Sequence, residues 1–208
     1  MSQAKTRVKY PLCIGVTGGM GCGKSTVSKL LAEHGFTLID SDALIRDKIL
    51  HLPEVVAEIV KKYGDEMLDS EGKVDRSRLA TKVFANEADL RWLEELTHPR
   101  LFDEWRAIMR AEPHGRWVIE VPLLFEKQLE NWFDFIVCVA SSPNQQLARL
   151  EQRGIPRPLA EQRISKQLPL ARKLELADLV LWNDGSLSFL EEQIDQALTK
   201  LNPTSLSA

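Results

Sequence analysis

The chain has 208 residues, 44% of them apolar and 27% charged, with a net charge of −3. That length suits one globular domain carrying an inserted lid, with a core large enough to need neither disulfides nor structural metal. The charge balance excludes a global basic field for nucleic acid, so any anionic ligand is met by local charge, and no apolar run reaches the length of a membrane span.

Residues 1–11 are polar with scattered Lys and Arg, lack the apolar core of a signal peptide, and read as a flexible extension. Leu12 to Thr17 is apolar enough for a buried strand. It runs into Gly18-Gly19-Met20-Gly21-Cys22-Gly23-Lys24-Ser25, which fits the phosphate-binding P-loop pattern G-x-x-x-x-G-K-[ST], and Thr26 follows. Glycines let successive N–H groups turn inward around phosphate oxygens, and the helix that follows points its positive end at the same anion. Lys24 is placed to reach the β- and γ-phosphates of a nucleotide, and the Ser25 hydroxyl to bind Mg²⁺. The motif does not by itself choose between a kinase, a GTPase and an ATPase. No N-K-x-D guanine-reading element occurs in the chain.

The first helix is expected over Lys24–His34, stopped by Gly35, followed by a strand at Phe36–Ile39. Asp40-Ser41-Asp42 comes next. In extended chain Asp40 and Asp42 share one face, at the carboxyl end of a strand where open α/β sheets bind ligands. The plainer reading is that Ser41 or Asp42 caps a helix over 43–50. Arg46, one turn on, is either an i,i+4 partner of Asp42 or a phosphate contact. Helices follow at 53–63, at 76–85 behind an Asp75 cap, and from Asn86 onward. His98-Pro99 is expected to interrupt this last one, because the residue before proline avoids helical angles. Asp69-Ser70-Glu71-Gly72 matches a D-x-x-G switch formally, but no strand leads into it.

Trp117–Val121 is a buried strand, and Glu120 near its end is a candidate Mg²⁺-side carboxylate. Pro122–Glu126 leaves it as a loop, and Phe133–Ala140 is a fourth strand. Ser141-Ser142-Pro143 then opens a helix to about Arg153. Residues 149–173 hold seven Arg and Lys against two Glu, broken by Gly154-Ile155-Pro156-Arg157-Pro158. Two basic arms around a break suit a lid over phosphates, with arginines stabilising transferred charge; a solvated basic face is the alternative. A fifth strand at 177–182, the turn Asn183-Asp184-Gly185 and an amphipathic last helix complete an α/β chain with a largely parallel sheet. Cys13, Cys22 and Cys138 form no metal or disulfide pattern and read as reduced thiols of a cytoplasmic protein.

Taken together, the chain resembles the dephospho-CoA kinase family over nearly all of residues 12–201. The matching motifs are Ile14–Gly19 into the P-loop, Asp40-Ser41-Asp42 with Arg46, His98-Pro99, Val121–Glu126, Arg149 with Arg153, Arg163-Ile164 with Gln167, and Lys173 through Ala177-Asp178 to Asn183-Asp184-Gly185. Departures are Ser41 where Ala is frequent, and Met20 and Cys22 where Ile and Ser are usual; Cys22 raises the question of an oxidation-sensitive loop. The resemblance implies a P-loop three-layer fold with a five-stranded parallel sheet, a helical CoA-side region near 65–112 and a lid near 149–165. It also implies ATP- and Mg²⁺-dependent phosphorylation of the ribose 3′-hydroxyl of dephospho-CoA, with no nucleic-acid or membrane partner. Asp42 is then the general base, and Lys24, Arg149 and Arg153 stabilise charge. Gly19, Gly21, Cys22, Gly23, Lys24, Ser25 and Thr26 hold ATP, with Asn183 and Gly185 beside the adenine. Arg46, His98, Pro122 and Leu123 belong to the acceptor side.

Overall fold

The computed structural model describes residues 12–201; the extension expected at 1–11 and the tail from Asn202 lie outside the described residues. In chain order the elements are β1 (Leu12–Gly18), α1 (Lys24–Glu33), β2 (Thr37–Ile39), α2 (Ser41–Asp47), α3 (Pro53–Tyr63), α4 (Arg76–Phe84), α5 (Glu87–Ala111), β3 (Arg116–Glu120), β4 (Phe135–Ala140), α6 (Pro143–Gln152), α7 (Arg157–Ser165), α8 (Leu170–Leu176), β5 (Leu179–Trp182) and α9 (Leu187–Leu201). They fall into two compact units. Among the described residues, one spans 12–39 together with 113–201, and the other spans 40–112 and holds α4 and α5.

The first unit is built on a five-stranded sheet in the order β2-β3-β1-β4-β5, parallel at every pairing. Strands of such a sheet are covered on both faces, so they read as near-continuous apolar runs. On β1, Leu12, Ile14 and Val16 alternate onto the face packed by Val27, Leu30 and Leu31 of α1 and by Leu190, Ile194 and Leu198 of α9. On β4, Ile136 points the other way and packs with Leu124, Phe125, Leu168 and Ala177. β1 is central, with Val16 level with Glu120 of β3 and Gly18 level with Val139 of β4. The P-loop therefore leaves the middle of the sheet at its carboxyl edge. β5 is an edge strand, and its Trp182 is 47% exposed. Gln193 of α9 accepts from the Trp182 N–H at 2.9 Å and donates to the Trp182 carbonyl at 2.8 Å.

The second unit departs from expectation in four places. The cap of α2 is Asp40, whose carboxylate accepts from the Ala43 N–H at 2.8 Å, and not Ser41 or Asp42. Asp42 lies inside the first helical turn, so it does not share an extended face with Asp40; α2 ends at Asp47 and a 3-10 turn covers Ile49–His51. Arg46 pairs with Asp47, Nε at 2.7 Å and Nη2 at 2.8 Å, in place of the i,i+4 partner Asp42. Finally, His98-Pro99 does not interrupt α5, which runs unbroken from Glu87 to Ala111. Proline removes one helical hydrogen bond there. In the flanking turns, side-chain donors of Thr97 and Arg100 reach the Leu93 and Leu96 carbonyls at 2.8 and 2.6 Å. Burial of Leu101 and Trp105 carries the helix through. The D-x-x-G segment is a local turn: the Asp69 carboxylate accepts from the N–H groups of Glu71 and Lys73.

Candidate active site

In the P-loop, the Cys22 N–H donates to the Gly19 carbonyl, and the N–H groups of Thr26 and Val27 donate to the Gly23 carbonyl, starting α1. Gly23 caps the helix at φ +91°, a left-handed conformation that an L side chain adopts only with strain, and no side chain caps the N-terminus. The first turn carries no acidic residue either. Such an end keeps its N–H groups and positive dipole for an anion. Gly21, at φ +79°, is pressed close to α6: a Cβ there would sit 2.7 Å from the Gln146 carbonyl oxygen.

Lys24 is buried, and its Nζ turns back to the Gly19 carbonyl at 3.1 Å and the Gly18 carbonyl at 3.5 Å. Burial pulls its pKa below the ordinary lysine value, while the Glu120 carboxylate pulls the other way. Ser25 is exposed on the first helical turn. A hydroxyl and a carboxylate are hard oxygen donors of the type magnesium takes, so Ser25 with Glu120 fits that ion.

The outer side of the loop is held by donors from three other segments. Arg149 of α6 sends Nη1 to the Gly21 carbonyl (3.3 Å), the Cys22 carbonyl (3.4 Å) and Ser141 Oγ (3.0 Å), and Nη2 to the Asn183 carbonyl (2.6 Å). Asn183 Nδ2 donates to the Cys22 carbonyl at 2.9 Å, and Ser141 Oγ lies 3.3 Å from the same oxygen. Carbonyls drawn outward in this way leave the peptide N–H groups turned to the opposite side of the loop. Gln146, buried beside Gly19 and Gly21, donates to the Ser141 carbonyl at 2.8 Å. Asp184 takes the Ser142 N–H on its carboxylate, and Gly185 follows in the turn, next to Phe189.

The structure thus brings the P-loop, Arg149 and Asn183 together. Arg153 is exposed at the end of α6, outside that network. Pro122 is exposed and Leu123 half-buried, in the turn after β3. In the second unit Asp42 is exposed, Arg46 is held by Asp47, and the half-buried His98 stacks at a tilt on Phe102 with ring centroids 5.9 Å apart. Sequence reasoning placed Ser141 only at the start of the helix that follows it and gave Gln146 no role; contact with the distant P-loop, through the Cys22 carbonyl and beside Gly19 and Gly21, is what brings them into the site. Cys22 is fully buried and burial raises its pKa, so it lacks the exposed thiolate that an oxidation-sensitive loop needs.

A family model described as dephospho-CoA kinase matches residues 12–188. The dephospho-CoA kinase of Thermosynechococcus vestitus is 42% identical over 192 residues, covering 91% of this chain and 95% of the relative. The chain belongs to the dephospho-CoA kinase family. A Thermus thermophilus protein, TT1252, superposes on this family member with a TM-score of 0.77 at 33% identity, over 93% of this chain and all of that one. The dephospho-CoA kinase from Campylobacter jejuni shares the fold, with a TM-score of 0.64 at 23% identity over 91% of this chain and 97% of its own. As a dephospho-CoA kinase the chain is a phosphotransferase of coenzyme A biosynthesis. Among the described residues no helix is long and apolar enough to cross a membrane.

Proposed function

We propose that the chain transfers the γ-phosphate of ATP, carried with Mg²⁺, to the ribose 3′-hydroxyl of dephospho-CoA, giving coenzyme A. The observation that carries the nucleotide side is the P-loop itself: an uncapped helix start at Gly23 and a buried Lys24, with the Cys22 carbonyl drawn outward by Asn183. Gly19, Gly21, Cys22, Gly23, Lys24, Ser25 and Thr26 hold the ATP phosphates, with Asn183 and Gly185 on the adenine side. Magnesium, when bound, is held by Ser25 with Glu120 and neutralises phosphate charge. Asp42 accepts a hydrogen bond from the acceptor hydroxyl and takes its proton. Arg46, His98, Pro122 and Leu123 bind the acceptor.

Phosphoryl transfer of this kind needs positioning and charge stabilisation more than covalent chemistry. Lys24 supplies a fixed positive charge, and its lowered pKa reflects a dry setting in which that charge acts more strongly. Arg149 and Arg153 are the arginines of the basic stretch that stabilise the transferred group, Arg149 after exchanging some of its carbonyl partners for phosphate oxygens. Residues 149–165 act as the lid. Three buried cysteines with no disulfide suit a reducing compartment, and we assign the protein to the cytoplasm.

The test is phosphate transfer from ATP-Mg²⁺ to dephospho-CoA, read by mass spectrometry of the acceptor. A gain of one phosphate, absent with Lys24→Ala, is the expected result. ADP formed with the acceptor unmodified would mean hydrolysis or a different acceptor, and a panel of small alcohols would then identify it.

A further inference from the structure

Lys173 on α8 is fully buried. Its Nζ lies 2.8 Å from Glu126 Oε1 and donates to the Pro122 carbonyl at 2.9 Å. That carbonyl also faces Thr17 Oγ1, at 3.4 Å, immediately before the P-loop. Glu126 Oε1 in turn accepts from the Leu168 N–H at 2.9 Å, in the segment that follows α7. One ammonium and one carboxylate therefore join the root of the P-loop, the turn after β3 and the base of the lid helix.

An ion pair between a fully buried lysine and a half-buried glutamate is a weak way to stabilise a fold, since apolar side chains of similar volume serve as well or better. Here Glu126 Oε2 is also buried with no hydrogen-bond partner among the described residues. Nor does the turn need the pair in order to form. Leu124 and Phe125 anchor it in the core, and Lys127 and Leu129 close it by donating to the Leu123 and Leu124 carbonyls at 3.0 Å. What the pair adds is direction: it aims the Pro122 carbonyl inward and ties the turn to Leu168.

We propose that Lys173 and Glu126 are positioning residues for the acceptor. They set the Pro122–Leu123 turn in the orientation that receives dephospho-CoA and register it with the base of the lid, an inference that rests on the acceptor-side reading of Pro122 and Leu123. Neither residue touches the reacting atoms.

The test compares Lys173→Met, Glu126→Gln and the double variant Lys173→Met/Glu126→Met with the wild type. Three quantities are read: KM for dephospho-CoA at saturating ATP-Mg²⁺, the ATP Kd without acceptor from a fluorescent ATP analogue, and Tm. Lys173→Met is expected to raise the acceptor KM roughly 10- to 100-fold, the scale of a misplaced positioning group, with the ATP Kd within about twofold. The double variant is expected to regain Tm, because no lone charge stays buried, while keeping the raised KM. Glu126→Gln keeps the side-chain shape and moves KM the same way, so it carries the test if the methionine variants do not fold. An unchanged acceptor KM in a folded variant, a KM that recovers together with Tm, or an equal loss of ATP affinity would each overturn the proposal. A wild type that fails to phosphorylate dephospho-CoA would overturn the functional reading itself. A working wild type with unaffected variants would overturn only the positioning role.

Discussion

His34, which caps the end of α1, and Asp195 on α9 are joined from ring to carboxylate, Nε2 to Oδ1, at 2.8 Å, while His34 Nδ1 lies 2.8 Å from the Leu30 carbonyl. Both neighbours are acceptors, so both are satisfied only by the doubly protonated ring. The Leu30 carbonyl does most to raise the His34 pKa above its ordinary 6.5; burial opposes it, and Asp195 adds to the rise. A raised folded pKa means the contribution is complete below the unfolded value and fades as pH climbs through the folded one. Asp195→Asn should therefore cost stability at about pH 6, by less than about 1 kcal/mol for so exposed a pair. The gap between wild-type and variant urea midpoints should shrink as pH climbs through the raised folded pKa and the ring loses its charge. A gap that widened with pH would contradict the assignment.

Asp40 and Asp42 separate cleanly by what they hold. Asp40 caps α2 through the Ala43 N–H, and its replacement by Ala should cost about 1 kcal/mol in a denaturation curve. Asp42→Asn should leave that curve in place and lower turnover roughly 10²- to 10⁴-fold, with ATP binding retained, as expected for loss of a general base. Unchanged turnover in Asp42→Asn would remove this residue from the chemistry.

Arg149 contacts four oxygens from three segments: the P-loop, the end of β4 and the turn after β5. Arg149→Ala should reduce both ATP affinity and turnover, by roughly tenfold or more for a charged donor, and should leave dephospho-CoA affinity close to wild type. Lysine should not restore function, because a single ammonium cannot span the fork from Gly21 to Asn183. A selective loss of acceptor affinity would contradict this arrangement.

The three thiols should be silent in the folded protein. Burial pushes Cys13 and Cys138 up to about 12, with Asp134 adding to the effect at Cys13, and Cys22 is raised as well. A disulfide reagent at about pH 8 should therefore react at a negligible rate until denaturant is added, and then titrate all three cysteines. Rapid modification of Cys22 in the native state, with loss of ATP binding, would reinstate the oxidation-sensitive loop.

The sheet was legible because strands buried on both faces write themselves as apolar runs, as at Ile14–Val16 and Ile136–Val139. The P-loop was legible because its chemistry is local. What escaped depends on competition between neighbours or on distance. Asp40, Ser41 and Asp42 all carry an oxygen fit to cap a helix, and the choice falls to the residue that follows the end of β2 at Ile39. At Pro99 a local rule predicts a break, and burial of Leu101 and Trp105 outweighs it. Ser141 meets the Cys22 carbonyl across 119 residues of chain, a separation that no periodicity encodes.

The amide of Gln193 has a consequence for how copies of the chain meet. β5 is the outer strand of the sheet on its side, and the Trp182 peptide faces away from β4. An open strand rim with an exposed indole is a template on which a passing extended chain can zip. Gln193 occupies both the donor and the acceptor of that peptide, so the rim is blunted where it is most adhesive. Loss of that amide would be felt first as turbidity in concentrated solution, ahead of any change in turnover.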